Sequence, residues 1–175
     1  YIEGLYTRPC PCVLGHESAG VVEAVGEDVS YVRPGDHVIT CISTFCGECE
    51  YCMTGRLSLC LSPSTRRDPR GPQRMMLKGT PLQHTSNLSS FAEYMLVHER
   101  SVVKIRTDMP LDRAAVIGCA VMTGAGAVFR TAKVEPGSTV AVIGLGGIGL
   151  SAVNGAAIAG AGRIIAIDKV ASKFD

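Results

Sequence analysis

At 175 residues, 46% of them hydrophobic, the chain has the material for one ordinary domain or two small ones around a buried core. Its 17 basic and 16 acidic side chains nearly cancel, so there is no field to gather nucleic acid or an anionic membrane surface. No apolar run reaches the roughly eighteen residues of a membrane span, and the opening from Tyr1 has neither a basic leader nor an apolar signal core. A globular protein without membrane or nucleic-acid partners is expected.

In chain order, GHE at 15–17 comes first, with Gly15 and Gly20 bracketing it so that the backbone can turn sharply around His16 and Glu17. Taken alone, the pair reads as a hydrogen-bonded turn. From 19 to 40, short Val-rich runs alternate with Gly, Asp and Pro, the pattern of short antiparallel strands joined by tight turns. The chain carries eight cysteines, and four of them fall at 46–60 with the spacing C-x2-C-x2-C-x7-C: Cys46, Cys49, Cys52 and Cys60. A secreted disulfide scaffold would produce many cysteines in a short, core-poor chain, whereas the second half here is core-rich, so reduced thiols in the cytoplasm fit better.

Tetrahedral zinc takes four thiolates at about 2.3 Å, and closely spaced cysteines let one loop surround it without long-range closure. Four sulfurs fill the coordination sphere and leave no place for substrate, so such a site is structural. An iron–sulfur cluster or unliganded surface thiols are the alternatives.

The stretch 61–90 is rich in Ser, Pro, Arg and Thr and reads as a long surface loop, its RRDPR run a solvated face. FAEYMLV (91–97) and SVVKI (101–105) read as strands, and a helix is expected from Leu111 after Pro110. Cys119, in IGCAVMTG, reads alone as a small buried hydrophobe. From about Ala120 the sequence turns Ala- and Gly-rich, and a domain boundary is expected near 125, separating residues 1–124 from 125–175.

From Thr139 the order is strand, glycine turn, helix, strand. Gly144, Gly146 and Gly149 satisfy G-x-G-x-x-G around Gly147, and Asp168 ends the next strand nineteen residues after Gly149. Gly144 permits the tight turn, Gly146 the approach of a pyrophosphate, and Gly149 close helix–strand packing. Glycines between strand and helix often serve packing alone, but with both strands and the acid in place a dinucleotide site is expected. Asp168 should accept from the adenosine ribose hydroxyls and repel a 2′-phosphate, which favours NAD over NADP.

GHESAG (15–20), GDHV (35–38), the four-cysteine lobe, GCAVMTG (118–124) and the glycine motif occur together in this order. In that order the chain resembles the zinc-dependent medium-chain alcohol dehydrogenases over essentially its whole length. The resemblance implies an α/β plus mostly-β fold: a GroES-like β-rich catalytic domain followed by the first β-α-β unit of a Rossmann domain. It implies His16 and Cys119 as catalytic zinc ligands with Glu17 as a nearby carboxylate, and a structural zinc on the four lobe cysteines. By the same resemblance Lys173 lies beside the ribose, Thr123 near the nicotinamide, and Ile42 on the wall of the substrate pocket. The implied partners are a small alcohol or aldehyde and further copies of the chain, as a homodimer or homotetramer.

The family carries a further zinc-ligating cysteine and a relay hydroxyl at a place that lies ahead of Tyr1. Cys10 and Cys12 sit too near His16 to match it and read as packing thiols. Further strands of a doubly wound sheet would follow Asp175, so the resemblance implies an internal piece of a longer dehydrogenase, inactive alone. Two rival functions stand beside alcohol oxidation. One is a relative acting on an acidic formaldehyde–thiol adduct held by Arg66, Arg67, Arg70 and Arg74. The other is a non-catalytic zinc-binding fragment.

Overall fold

A computed structural model describes residues 10–65, 68 and 71–174, and the chain parts into two compact units, Tyr1–Ala115 and Val116–Asp175. The parting lies ahead of the change in sequence character near 125, since the helix that begins at Ala120 packs inside the second unit.

The first unit runs through β1 (Cys12–Val13), β2 (Ala19–Val21), β3 (His37–Thr40), α1 (Glu50–Met53), β4 (Met76–Leu77), β5 (Thr80–Pro81), β6 (Gln83–His84), β7 (Val102–Lys104) and α2 (Leu111–Ala114). Its centre is a three-stranded antiparallel sheet in the order β2-β3-β7, with Gly20 opposite Val38 and Val38 opposite Lys104. The expected antiparallel strands of 19–40 are therefore present. Val32, Val38 and Val102 form the core, with Val22, Val29 and Val97 packed against them, and full burial of one valine contributes roughly 1.5–3 kcal/mol. Asp36 fixes the turn into β3: its carboxylate accepts from the Arg33 N–H at 3.1 Å and meets the Lys104 ammonium at 2.7 Å. That ammonium, bonded directly to it, holds the Asp36 carboxyl below the usual carboxylate range.

Two readings of this half need correction. FAEYMLV forms no strand, because among the described residues no neighbour pairs with it, and Phe91 and Tyr94 are each 78% exposed. The stretch 61–90 is not a featureless loop: β4 and β5 form a hairpin about Lys78 and Gly79, both at positive φ as a type I′ turn requires. Beyond it β6 pairs in parallel with β1, and Thr85, Leu88 and Ser89 are buried. Arg66, Arg67 and Arg70 lie outside the described residues.

The second unit contains α3 (Ala120–Gly126), continued by a π-helical turn over Ala127–Ala132, then β8 (Thr139–Ile143), α4 (Gly147–Ile158) and β9 (Arg163–Ile167). β8 and β9 are parallel with Ile143 opposite Ile167, and α4 makes the crossover between them. Close packing of α3 on α4 depends on missing side chains. A Cβ on Gly124 would press on the Ile148 carbonyl and lie 2.6 Å from Ser151 Cβ, and one on Gly155 would lie 3.2 Å from Ala125 Cα. Of β8 only Val142 is fully buried, and Ile143 is 82% exposed, so the strand is covered on one face rather than two. Among the described residues no single helix is long and apolar enough to cross a membrane.

Candidate metal centre and nucleotide loop

The four lobe cysteines converge although no strand holds them. Gly47, at φ +85°, turns the chain after Cys46, and Cys49 then starts the short helix α1, which carries Cys52. Gly55 turns it back, and a 3₁₀ turn at Leu57–Leu59 delivers Cys60. The Cys49 N–H reaches Cys46 Sγ at 3.3 Å, and the Cys46 N–H reaches Cys60 Sγ at 3.3 Å.

Sulfur separations are 3.5 Å for Cys49–Cys52 and 3.9 Å for both Cys46–Cys52 and Cys49–Cys60, with all four Sγ atoms within 4.8 Å of one another. Four ligands at 2.3 Å from a tetrahedral ion are about 3.8 Å apart. The site thus fits one zinc ion. A multinuclear iron–sulfur cluster does not fit, because several metal atoms and bridging sulfides would have to lie between these thiols.

The surroundings favour thiolate. Backbone N–H groups of Glu48 and Cys49 lower the Cys46 thiol to about 6, and that of Ser62 lowers Cys60. Burial instead pushes Cys52 up to about 11. All eight cysteines of the chain are free of disulfides.

Sequence reasoning missed what holds this lobe. The Arg100 guanidinium donates to the Cys46 carbonyl and lies over the Phe45 ring, 5.5 Å from its centroid. Beside it, Ser101 accepts the Cys41 N–H at its carbonyl, 2.8 Å away, and shares a hydroxyl hydrogen bond with Thr44. No spacing signal announces a partner so distant in the chain.

In the same unit the GHE segment is pinned on both sides. The Leu14 and Gly15 carbonyls accept from the Phe91 and Ser90 N–H groups at 3.0 and 3.1 Å, and the Ser18 carbonyl accepts from the Thr40 N–H at 2.9 Å. Gly15 has φ +98°, and a Cβ there would lie 2.6 Å from Ser90 Oγ and 2.9 Å from the Phe91 nitrogen, so only glycine fits. His16 between these anchors is half-buried, and Glu17 is exposed. Cys119 belongs to the second unit, half-buried at the residue preceding α3, where its carbonyl accepts the Thr123 N–H at 2.8 Å. Thr123 is exposed on that helix, and Ile42 in the first unit is also exposed.

The glycine loop joins β8 to α4. Gly144, at φ +92°, donates its N–H to the Ile167 carbonyl at 2.7 Å, and Gly146 immediately precedes the helix. At Gly146 a Cβ would meet open space, so the backbone at the start of the twelve-residue helix, beyond the bonded amides of Gly144 and Leu145, can be approached by a phosphate. Gly149 is different: a Cβ would run into the Gly144 carbonyl. Gly147 accepts the Ser151 hydroxyl at its carbonyl, 2.7 Å away.

Asp168, at the end of β9, bonds back to this loop. Its Oδ2 accepts the Leu145 N–H at 2.7 Å and the Lys173 ammonium at 2.8 Å, and its Oδ1 accepts the Val170 N–H at 3.0 Å. Lys173 chiefly, then the two amides, hold this carboxyl far below the usual carboxylate range. Two carboxylate oxygens offer about four acceptor positions, so one remains on Oδ1.

The family described as alcohol dehydrogenase GroES-like domain matches residues 1–107. The chain is 48% identical over 181 residues to alcohol dehydrogenase class-3 of Pisum sativum, covering 99% of this chain and 46% of that protein. It is 50% identical over 169 residues to S-(hydroxymethyl)glutathione dehydrogenase of Escherichia coli, covering 94% and 46%. Among solved structures, an alcohol dehydrogenase zinc-binding domain protein from Burkholderia ambifaria superposes with a TM-score of 0.85 at 41% identity, over 94% of this chain and 46% of that one. Benzyl alcohol dehydrogenase of Acinetobacter calcoaceticus does so at 0.81 and 38% identity, over 96% and 46%. The chain spans about half the length of the curated relatives it matches.

Proposed function

We propose, because the chain belongs to the zinc-dependent alcohol dehydrogenase family, that the whole protein transfers hydride between an alcohol and NAD, interconverting the alcohol with its aldehyde or ketone. The observation that carries this reading is the meeting of Asp168 with the glycine loop at the carboxyl ends of two parallel strands, where open α/β sheets take their ligands.

When bound, zinc with three protein ligands supplies a Lewis acid that makes an alcohol hydroxyl acidic, and NAD supplies the hydride acceptor. His16 and Cys119 are the proposed ligands of that zinc, an imidazole and a thiolate of the kinds zinc prefers, with the Glu17 carboxylate at hand. Gly15 and its lacing to Ser90 and Phe91 keep His16 in place. Gly144 makes the tight turn, Gly146 and Gly147 offer backbone to the pyrophosphate, and Gly149 brings the helix up to the strand. Asp168, steadied by Lys173, receives a ribose hydroxyl at its remaining acceptor position and rejects a 2′-phosphate. Thr123 stands beside the nicotinamide. Titration calorimetry with NAD and NADP tests this: NAD is expected to bind the tighter, and equal or tighter binding of NADP overturns the reading.

A second reading rests on the 50% identity to a protein named for S-(hydroxymethyl)glutathione. In the first unit Arg74 lines a cavity of about 230 Å³ with His84, His98 and Asn87, chemistry suited to an acidic thiol adduct. Turnover of formaldehyde with and without added glutathione separates the two, since only the second reading requires the thiol.

The core-rich composition, unlike that of a disulfide scaffold, supports a reducing, cytoplasmic setting, and family membership supports a homodimer or homotetramer. Light scattering of the whole protein tests the assembly.

A further inference from the structure

We propose that Arg100 is the brace of the four-cysteine zinc site: its guanidinium holds the Cys46–Gly47 peptide in the orientation that folds the loop over the metal, and so slows metal loss. Arg100 stands in the 3₁₀ turn Glu99–Ser101, directly ahead of β7, and thus on the central sheet. Three contacts place it against the lobe. It donates to the Cys46 carbonyl, it covers the Phe45 ring, and its Nη1 fills the space left by the missing side chain of Gly47. Gly47 therefore has two reasons to be glycine, a φ of +85° and the guanidinium beside it.

The consequence for the metal follows from peptide geometry. Cys46 Sγ receives the Cys49 N–H at 3.3 Å only if the chain doubles back immediately after Cys46. Fixing the Cys46 carbonyl from outside fixes that reversal. The adjoining Ser101 ties the stem of the lobe to the same turn, through the Cys41 N–H at 2.8 Å and the Thr44 hydroxyl. Charge acts in the same direction: four thiolates around a dication leave a doubly negative centre, and Arg100 sets a permanent positive charge on the loop that carries it. A guanidinium, which can lie over an aromatic ring and donate a hydrogen bond at the same time, suits this position better than a lysine ammonium.

The test uses the intact protein with cobalt in place of zinc, following, after addition of excess EDTA, the decay of that part of the thiolate-to-cobalt charge-transfer band that Cys52→Ser abolishes, so that metal on His16 and Cys119 does not enter. Arg100→Ala and Gly47→Ala are each expected to release cobalt about tenfold faster than the parent, the scale of an outer-shell substitution at a metal site. The double variant should be little faster than Gly47→Ala alone, because the Arg100 contact is already lost there. Release from Arg100→Ala within twofold of the parent overturns the proposal. Should that variant fail to fold, Arg100→Lys decides. It keeps the charge but not the planar fork, so severalfold faster release supports the brace and parental release refutes it.

Discussion

Leu145, in the middle of the glycine loop, donates its N–H to the carboxylate of Asp168 at 2.7 Å, so the residue that closes β9 also fastens the turn that follows β8. A site assembled in this way ties the shape of the glycine loop to the group proposed to select the ribose. Replacing that carboxylate tests both roles at once.

Asp168→Asn retains an oxygen for the Leu145 N–H but loses the charge that pairs with Lys173. NAD affinity should fall by about tenfold or more, as expected when charged hydrogen bonds are lost, and preference over NADP should narrow. Calorimetric titration with both nucleotides reads each effect, and an unchanged NAD affinity contradicts the assignment.

Acid should release this fastening late. Because Lys173 and the two amides lower the folded-state pKa of Asp168, its contribution is fully present above the unfolded value, near 3.9. The contribution is lost as pH falls through the depressed folded value. The Asp168 carboxyl carbon resonance should therefore show no titration step down to pH 4. A midpoint in the ordinary carboxylate range contradicts the observed contacts.

Two glycines of the same motif should fail differently. Gly149→Ala forces a Cβ into the Gly144 carbonyl and should destabilise the second unit by about 2 kcal/mol or more, read by urea unfolding. Gly146→Ala, with φ −83° and open space, should unfold near the parental midpoint yet bind NAD more weakly.

Metal uptake by the lobe should release protons. Cys52, held near 11 by burial, is protonated at neutral pH, whereas Cys46, near 6, is largely thiolate. Zinc binding at pH 7 should thus expel at least one proton and tighten as pH rises, measurable by calorimetry in buffers of different ionisation enthalpy. Cys52→Ser should lower the zinc content by one ion per chain and leave NAD binding intact. Zinc analysis of the whole protein should find two ions, whereas a non-catalytic zinc-binding chain would hold one.

What the sequence made legible were the features whose chemistry is local. Four cysteines in fifteen positions announce a metal loop, and a glycine motif between two apolar strands announces the β-α-β unit. Partners distant along the chain left no such trace. Nothing in the spacing ties Arg100 to Cys46, or marks the Leu145 N–H as the group that meets Asp168. FAEYMLV misleads for a related reason, since its side chains look strand-like while pairing depends on a neighbour the pattern cannot specify. The hairpin at 76–81 was hidden because Lys-Gly, rather than Asn-Gly or Asp-Gly, makes its turn.

The lacing of Leu14 to Phe91 and Gly15 to Ser90 has a further result. The chain leaves and returns through a throat at Gly15 and Ser90, with His16 the first residue past it. Since doubling the length of such an excursion costs only about 0.6 kcal/mol, insertions beyond the lobe are cheap so long as the throat is kept. A segment lengthened or shortened within this excursion should therefore leave His16 undisturbed.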